Sequence, residues 1–367
     1  MTTRSTELLR VAHARPGVTR ADAARLLGVG TGAATEIVAR LAQQSLLSEA
    51  PAAPSGARGR PTTVLMPHPA GPLVLAVSIT HEAWRVDVVE LGGRTLASTA
   101  GSHASWPEVT AQVTAVVQRL SQTYAARLRA MGVSVPGTVS PALRLTASNL
   151  GWEDVDLTGL WSGPVFVAGN DANLAATAES HRGAAAGAAV ALHLRIEGGL
   201  GGAVVDHGRA LLGARGAAGE FGHMPFGDPA VACPCGAFGC WGTAVDGTAL
   251  ARLLGKPAPP DPVSYARRVI AAADPASRAA VVVVASALGR GIAGLVNGLD
   301  ADLVTLGGVA VDLLAAAPEE IGVAYRAGLM QVHRAAPPPV VAAALGDEGP
   351  IAGAAEEAWS RLLPELA

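Results

Sequence analysis

The chain has 367 residues, half of them hydrophobic and 16% charged, with a formal net charge of −3. That length exceeds one ordinary domain, and the composition excludes a disordered or solvating polymer, which leaves a globular protein with a large core. The longest mostly apolar run, Ala279 to Gly289, is read as ending at Arg290, too short to span a membrane; with no charged-then-apolar leader at the start, the chain is expected in the cytoplasm.

Charge is unevenly spread. Residues 1 to 70 hold eight arginines (Arg4, Arg10, Arg15, Arg20, Arg25, Arg40, Arg58, Arg60) against four acids, while the rest carries 19 basic and 26 acidic residues, a net of −7. A positive head on a negative body suits a polyanion at one end only.

Thr6 to His13 predicts a helix, and Thr19 is a good N-cap for a second that runs to Gly28. Gly28-Val29-Gly30 is the kind of short connection that joins the two helices of a helix-turn-helix, and Thr31 is expected to cap a third helix. Ala34, Ile37, Val38 and Leu41 recur at helical spacing and should face a small core. Gly32, Thr35, Glu36, Ala39 and Gln43 then point outward. Leu46 to Ser48 and Thr62 to Met66 predict a hairpin, a wing, around a loop that carries Arg58-Gly59-Arg60-Pro61. Two guanidinium groups on a narrow extended segment fit an A/T-rich minor groove. The DNA-facing set read from these features is Arg20, Thr31, Gly32, Thr35, Glu36, Arg58, Gly59 and Arg60. The bland alternative to DNA binding is an interaction module with a solvated linker.

Beyond residue 68 the pattern is strand-rich. Leu73 to Ile79, Trp84 to Leu91 and Arg94 to Thr99 predict strands, followed by a helix from Pro107 to Met131 and a strand at Gly132 to Val135. Gly187 to Ile196, Gly201 to Val205 and Arg209 to Leu212 repeat the series, with helices at Pro262 to Ala272 and Ser277 to Leu299 before a strand at Leu303 to Leu306. Two β-β-β-α-β-like halves predict an α/β fold, a duplicated two-lobed architecture of the actin, sugar-kinase and ribonuclease H type with a cleft between the lobes. The expected domains are 1–68, a winged helix-turn-helix; 69–180, a first α/β lobe; and 181–367, a second lobe.

All three cysteines, Cys233, Cys235 and Cys240, lie together, which argues for metal rather than disulfides. With His223 they supply one imidazole and three thiolates, enough for a closed structural zinc (Zn2+) site with no position open for catalytic water.

The residues also resemble the ROK family, named for repressors, open reading frames and kinases. The marks are the GRP at Gly59 to Pro61, VPGTV at Val135 to Val139, NLGW at Asn149 to Trp152, NDAN at Asn170 to Asn173, GEFGH at Gly219 to His223, CPCGAFGC at Cys233 to Cys240 and LGG at Leu306 to Gly308. The resemblance implies the same four zinc ligands. It implies a sugar-type effector bound near Gly137, Asn149, Asn170, Asp171, Glu220 and His223, with Asp171 at the place of the kinases' general base. An Asn-Asp helix cap is the bland alternative for NDAN, and a strand end with a Gly turn the one for LGG.

Three departures from the kinases matter. Val77 to Glu82 lacks the acid and glycines of the first phosphate turn, and Glu197-Gly198-Gly199-Leu200 puts a carboxylate where phosphate oxygens would lie. At about 4 Å and an effective dielectric of about 20, that repulsion is about 4 kcal/mol, roughly a thousandfold in affinity. Gly242 replaces a Glu that contacts sugar in the family. The expectation is a homodimeric or larger repressor that binds double-stranded operator DNA, senses a small molecule and has no kinase activity or membrane partner. The competing expectations are an ATP-dependent sugar kinase and a ligand-free scaffold.

Overall fold

The first helix, α1 (Arg4–Ala14), starts where the Thr3 hydroxyl accepts the Thr6 N–H at 3.1 Å and buries Leu8, Leu9 and Ala12. The structure, a computed structural model, describes residues 3–52, 63–147 and 150–367. Helix α2 (Arg20–Leu27) is capped by Thr19, as expected, and stops at Gly28, whose φ of +65° a side chain would resist. Helix α3 (Thr31–Gln43) buries Ala34, Ile37, Val38 and Leu41 and exposes Gly32, Thr35, Glu36, Ala39 and Gln43. Its N-cap is Gly30 rather than Thr31, and no side chain caps it: the extended backbone needed at the cap falls one residue earlier. Strands β1 (Leu47–Pro51) and β2 (Thr63–Pro67) pair antiparallel, and the Leu65 N–H donates to Val18 O at 2.8 Å, which ties them to the α1–α2 connection. Arg58, Gly59 and Arg60 lie outside the described residues.

Next come β3 (Leu73–Ile79), β4 (Ala83–Glu90), β5 (Thr95–Ser102), α4 (Trp106–Tyr124), β6 (Leu128–Val135), the short β7 (Thr138–Val139), β8 (Arg144–Ala147) and β9 (Trp152–Asp156), and β10 (Val165–Asn170). Five of them form a sheet in the order β10-β6-β3-β4-β5, with β3 and β6 parallel. The helix expected to reach Met131 therefore ends at Tyr124. The chain leaves helix at Ala125 (φ +47°), and Leu128 to Val135, buried at all but Arg129, is a parallel strand whose two covered faces outweigh the local helix propensity.

The second series is α5 (Asp171–Arg182), β11 (Val190–Ile196), β12 (Leu200–Asp206), β13 (Arg209–Ala210), α6 (Gly242–Val245), α7 (Gly247–Leu253), α8 (Pro262–Ala271), α9 (Pro275–Leu299), β14 (Leu303–Gly308), α10 (Val309–Ala316), α11 (Pro318–Gly328), α12 (Gln331–Ala335), β15 (Val340–Ala342) and α13 (Gly349–Leu366). Its sheet order, β13-β12-β11-β14-β15, repeats that of the first sheet strand for strand. LGG is a strand end and a Gly turn, since Gly308 closes β14 and caps α10.

Helix α9 matches the expected Ser277 to Leu299 but corrects one expectation: its apolar stretch is not cut short at Arg290, and the 25-residue helix is long and apolar enough by composition to cross a membrane. Arg290 fails to interrupt it because it lies on the exposed face; 67% of the apolar window is buried, against Trp241, Leu192, Leu306 and Ile321 among others. That is the environment of a core helix.

The chain folds into two compact units. One comprises Met1–Pro136, Asp156–Gly169 and Ala354–Ala367, the other Gly137–Val155 and Asn170–Gly353. These boundaries differ from cuts at 68 and 180, because β10 and the C-terminal helix return to the first sheet. Within the first unit the His13 ring accepts the Gly92 N–H on Nδ1 at 3.0 Å, which leaves the proton on Nε2 to donate to the buried Glu356 carboxylate at 3.0 Å.

Candidate functional site

Asn170 ends β10 and caps α5. Its Oδ1 accepts the N–H groups of Ala172 and Asn173 at 2.9 and 3.2 Å, while its Nδ2 donates to Gly137 O at 3.0 Å. The capping alternative thus holds for Asn170, and that side chain is committed to structure. Gly137 sits at φ +109°, and a methyl there would press on Ala147 Cα at 2.9 Å, so the turn that receives Asn170 excludes larger residues. Asp171 opens α5, its Oδ1 accepting the Ala172 N–H at 2.8 Å. Burial raises its carboxyl above the ordinary range, the Arg195 charge opposes that, and Glu220 adds to it. Glu220 accepts the Thr138 hydroxyl at 3.3 Å, and its other oxygen lies 3.8 Å from His223 Nε2. Gly137, Asn170, Asp171, Glu220 and His223 all fall in the second unit; Asn149 lies outside the described residues.

His223 also turns toward the cysteines. Its Nδ1 is 3.7 Å from Cys233 Sγ, Cys235 Sγ is 3.7 Å from Cys240 Sγ, and the four ligand atoms lie within 4.8 Å of one another. A tetrahedral ion with bonds of about 2.0 Å to nitrogen and 2.3 Å to sulfur needs edges of about 3.5 to 3.8 Å, so the donor set fits one metal ion. Burial and then the neighbouring sulfurs push the Cys240 thiol up to about 12, a crowding a cation would relieve. The loop is preformed by backbone: Cys233 N–H donates to Ala237 O at 2.8 Å and Trp241 N–H to Met224 O at 2.8 Å. Trp241, fully buried, anchors it and donates from Nε1 to Ala287 O at 3.2 Å. The imidazole therefore presents one nitrogen to the metal position and the other toward Glu220, the arrangement that fixes a ligating histidine's tautomer. Gly242, the place of the missing Glu, opens α6 with its α-carbon facing Gly222 O.

Sequence reasoning missed the group that decides the β11–β12 loop. Arg195, buried on β11, donates to Glu197 at 2.7 Å, to Asp347 at 3.2 Å and to Gly346 O at 3.2 Å. Glu197 is therefore no bare charge, and the expected repulsion of about 4 kcal/mol must be reduced by this pairing. Burial still raises the Glu197 carboxyl, Arg195 lowers it, and Asp347 and Asp171 raise it further. Beside Arg195, His193 bonds Thr305 through Nδ1 at 2.9 Å and has no hydrogen-bond partner on Nε2 among the described residues; burial, then the Arg195 charge, holds its pKa down at about 3. The alternation Leu192-His193-Leu194-Arg195-Ile196 was the available signal, a polar face on a buried strand.

In the N-terminal segment Thr31, Gly32, Thr35 and Glu36 are exposed together on α3, with Arg40 on the same exposed side. The Thr35 hydroxyl donates to Thr31 O at 2.8 Å. Arg20 is not free, since it pairs with Glu49 at 3.4 Å.

The profile of the ROK family matches residues 76–360, more than three quarters of the sequence. The chain belongs to the ROK family. Among ROK relatives, a glucokinase of Halalkalibacterium halodurans is 33% identical over 48% of this chain and 60% of its own length. The xylose repressor of Caldicellulosiruptor bescii is 29% identical over 48% of this chain and 49% of its own. The chain thus spans about half the length of the curated relatives it matches. A solved ROK family transcriptional regulator, a homologue of the Escherichia coli MLC protein, covers 99% of this chain and 95% of its own with a TM-score of 0.76 at 23% identity. At that identity the likeness establishes the sugar-kinase-like ROK fold and nothing finer. Both branches of the ROK family, repressors and kinases, are therefore among its relatives.

Proposed function

We propose that this ROK protein is a cytoplasmic transcriptional repressor: residues 1–68 act as a winged helix-turn-helix on double-stranded operator DNA, and the remainder, as two lobes, senses a sugar or related small molecule. The observation that carries the reading is the tight Gly28–Gly30 turn, which holds α3 with its apolar side inward and Thr31, Gly32, Thr35, Glu36 and Arg40 outward on a positively charged segment. The charge asymmetry and the repressor relative support it. While it donates to Thr31 O the Thr35 hydroxyl can only accept from a base edge, so much of the discrimination falls to the loop that contains Arg58, Gly59 and Arg60.

In this reading His223, Cys233, Cys235 and Cys240 hold a structural zinc ion that pins the loop to GEFGH, and Asp171 and Glu220 survive as effector contacts. Phosphoryl transfer is lost: the Val77–Glu82 turn offers no phosphate cradle, and Arg195, the cation beside Glu197, is committed to Glu197 and Asp347. The protein acts as a homodimer on paired half-sites.

Footprinting of the full chain on the DNA upstream of its own reading frame, with and without a panel of hexoses, tests the proposal. Protection at low salt that a sugar changes is expected, and absence of protection by folded protein overturns it. The kinase reading is favoured by Asp171 beside Glu220. ADP release with any hexose, abolished by Asp171→Asn, would establish it instead.

A further inference from the structure

Residues 1 to 70 hold four acids, and three of them are paired with arginines: Glu7 with Arg4 at 2.7 Å, Asp22 with Arg25, and Glu49 with Arg20 at 3.4 Å. Glu36 is the exception. Exposed in the second turn of α3, it forms no ion pair and no side-chain hydrogen bond among the described residues. Arg40 stands four residues on, the spacing at which a helix favours such a pair, and does not take it. The neighbours of Glu36 on that exposed stripe, Gly32, Ala33 and Ala39, carry no polar side-chain atom, so the carboxylate stands above a low surface. The Thr35 hydroxyl beside it, donating to Thr31 O, has only acceptor capacity left.

We infer that Glu36 makes the outer face of α3 a reader of cytosine in the major groove. The inference rests on the proposed winged helix-turn-helix, which lays α3 against DNA. Phosphates repel a carboxylate, so one left bare in the middle of the contacting stripe lowers affinity for any sequence that offers it no donor. The base edges that face the major groove supply donors of two kinds, the cytosine N4 and adenine N6 amino groups, whereas guanine and thymine present acceptors. The two donors differ in what lies beside them. Adenine sets the N7 lone pair next to N6, where it repels the second carboxylate oxygen; cytosine sets a C5–H there. The same charge therefore gains on cytosine and loses on the other three bases, and the small side chains at 32, 33 and 39 let the base edges come close enough for it to act.

Selection by the full chain from a random duplex library, followed by titration of the selected duplex and its single-base variants, tests this. The wild type is expected to select a G·C pair at one position of each half-site and to lose about tenfold in affinity when that pair is replaced in one half-site. Glu36→Ala should flatten that preference to about twofold or less and bind the replaced duplexes more tightly than the wild type does, because a repelling charge is gone. Glu36→Gln, whose amide both donates and accepts, should move the preference at the same position to adenine. Preferences elsewhere in the site and the circular dichroism of both variants should match the wild type, since Glu36 is exposed and holds nothing in place. Equal tightening on every duplex by Glu36→Ala, or a wild-type motif with no cytosine preference that depends on Glu36, makes the carboxylate a solvated charge and overturns the inference while the regulatory reading stands. Folded protein that selects no duplex at all overturns both.

Discussion

The two five-stranded sheets share one strand order and differ in what their central strands carry. Counting back from Ile79 at the end of β3 and Ile196 at the end of β11, Ser78 stands where Arg195 stands and Ala76 where His193 stands; across the parallel ladder Ser134 matches Gly307 and Gly132 matches Thr305. In the first sheet these positions are small, and Gly132 accepts the backbone of Ala354 so closely that a side chain could not fit. In the second they are a buried imidazole and a guanidinium with acids around them. Topology was duplicated and chemistry was not: one sheet became a packing platform, the other kept a polar face next to the site.

The largest way to break the comparison is to remove what only the second half has. Cys235→Ser should lose stoichiometric metal and lower the melting temperature by many degrees, because in small structural sites binding free energy is folding free energy. Metal analysis alongside calorimetry checks it, and retention of both metal and melting temperature would count against the site.

Arg195→Met should come next. Arg195 is buried but Glu197 is about one-third and Asp347 largely exposed, so water screens the acids left behind and the cost should be about 1 to 3 kcal/mol rather than that of a fully buried pair. Ser78→Ala at the matching position of the first sheet should stay within about 0.5 kcal/mol, the usual range for a change that creates neither a cavity nor a stranded charge. Urea unfolding of both measures the contrast, and equal effects would erase it.

The pH dependence sharpens the same point. His193 has a folded pKa near 3 against an ordinary value of 6.5, so between those limits the unfolded chain binds the extra proton. Stability is therefore lost as pH falls through that window, at up to about 1.4 kcal/mol per pH unit from this group. Glu197 and Asp171, raised by burial, act in the opposite sense: their protonation stabilises the fold as pH drops. Comparing His193→Gln with the wild type by urea titration from pH 7 to about 4 isolates the first effect. The variant should lose less stability on acidification, and parallel curves would refute the assignment.

These expectations rest on features of unequal legibility. The α1–α3 packing, both hairpin series and the Cys-His cluster were readable because helical or alternating periodicity and metal spacing are local properties of sequence. The end of α4 was not, since Leu128 to Met131 is helix-compatible in isolation and becomes strand only between β3 and β10. The helix α9 was legible, but its apolar stretch was taken as too short because one exposed arginine looks like an interruption until the helix's outer face is known. Arg195 was missed for a different reason: although it stands two residues from Glu197, a charged residue on a buried strand is placed only by the tertiary contacts around it, among them Asp347, 152 residues away.

The smallest effect concerns the proposed reading head. Arg20, taken from sequence as a DNA contact, is the first residue of α2 and pairs with Glu49 on β1 at 3.4 Å, with both side chains well exposed and Glu49 also accepting the Thr63 hydroxyl. An exposed pair of this kind is worth at most about 1 kcal/mol, so a phosphate could outcompete the glutamate without a large penalty. Glu49→Ala removes that competition and one repelling charge beside the backbone. If α2 lies along the DNA, affinity should rise about threefold to tenfold at low salt, and the dependence of log K on log salt should steepen by about one phosphate contact. Titrations at several salt concentrations read both quantities. Unchanged affinity and slope would mean that Arg20 serves only to hold α2 against the hairpin, and the head's electrostatics would then have to come from α3 and the arginines at 58 and 60.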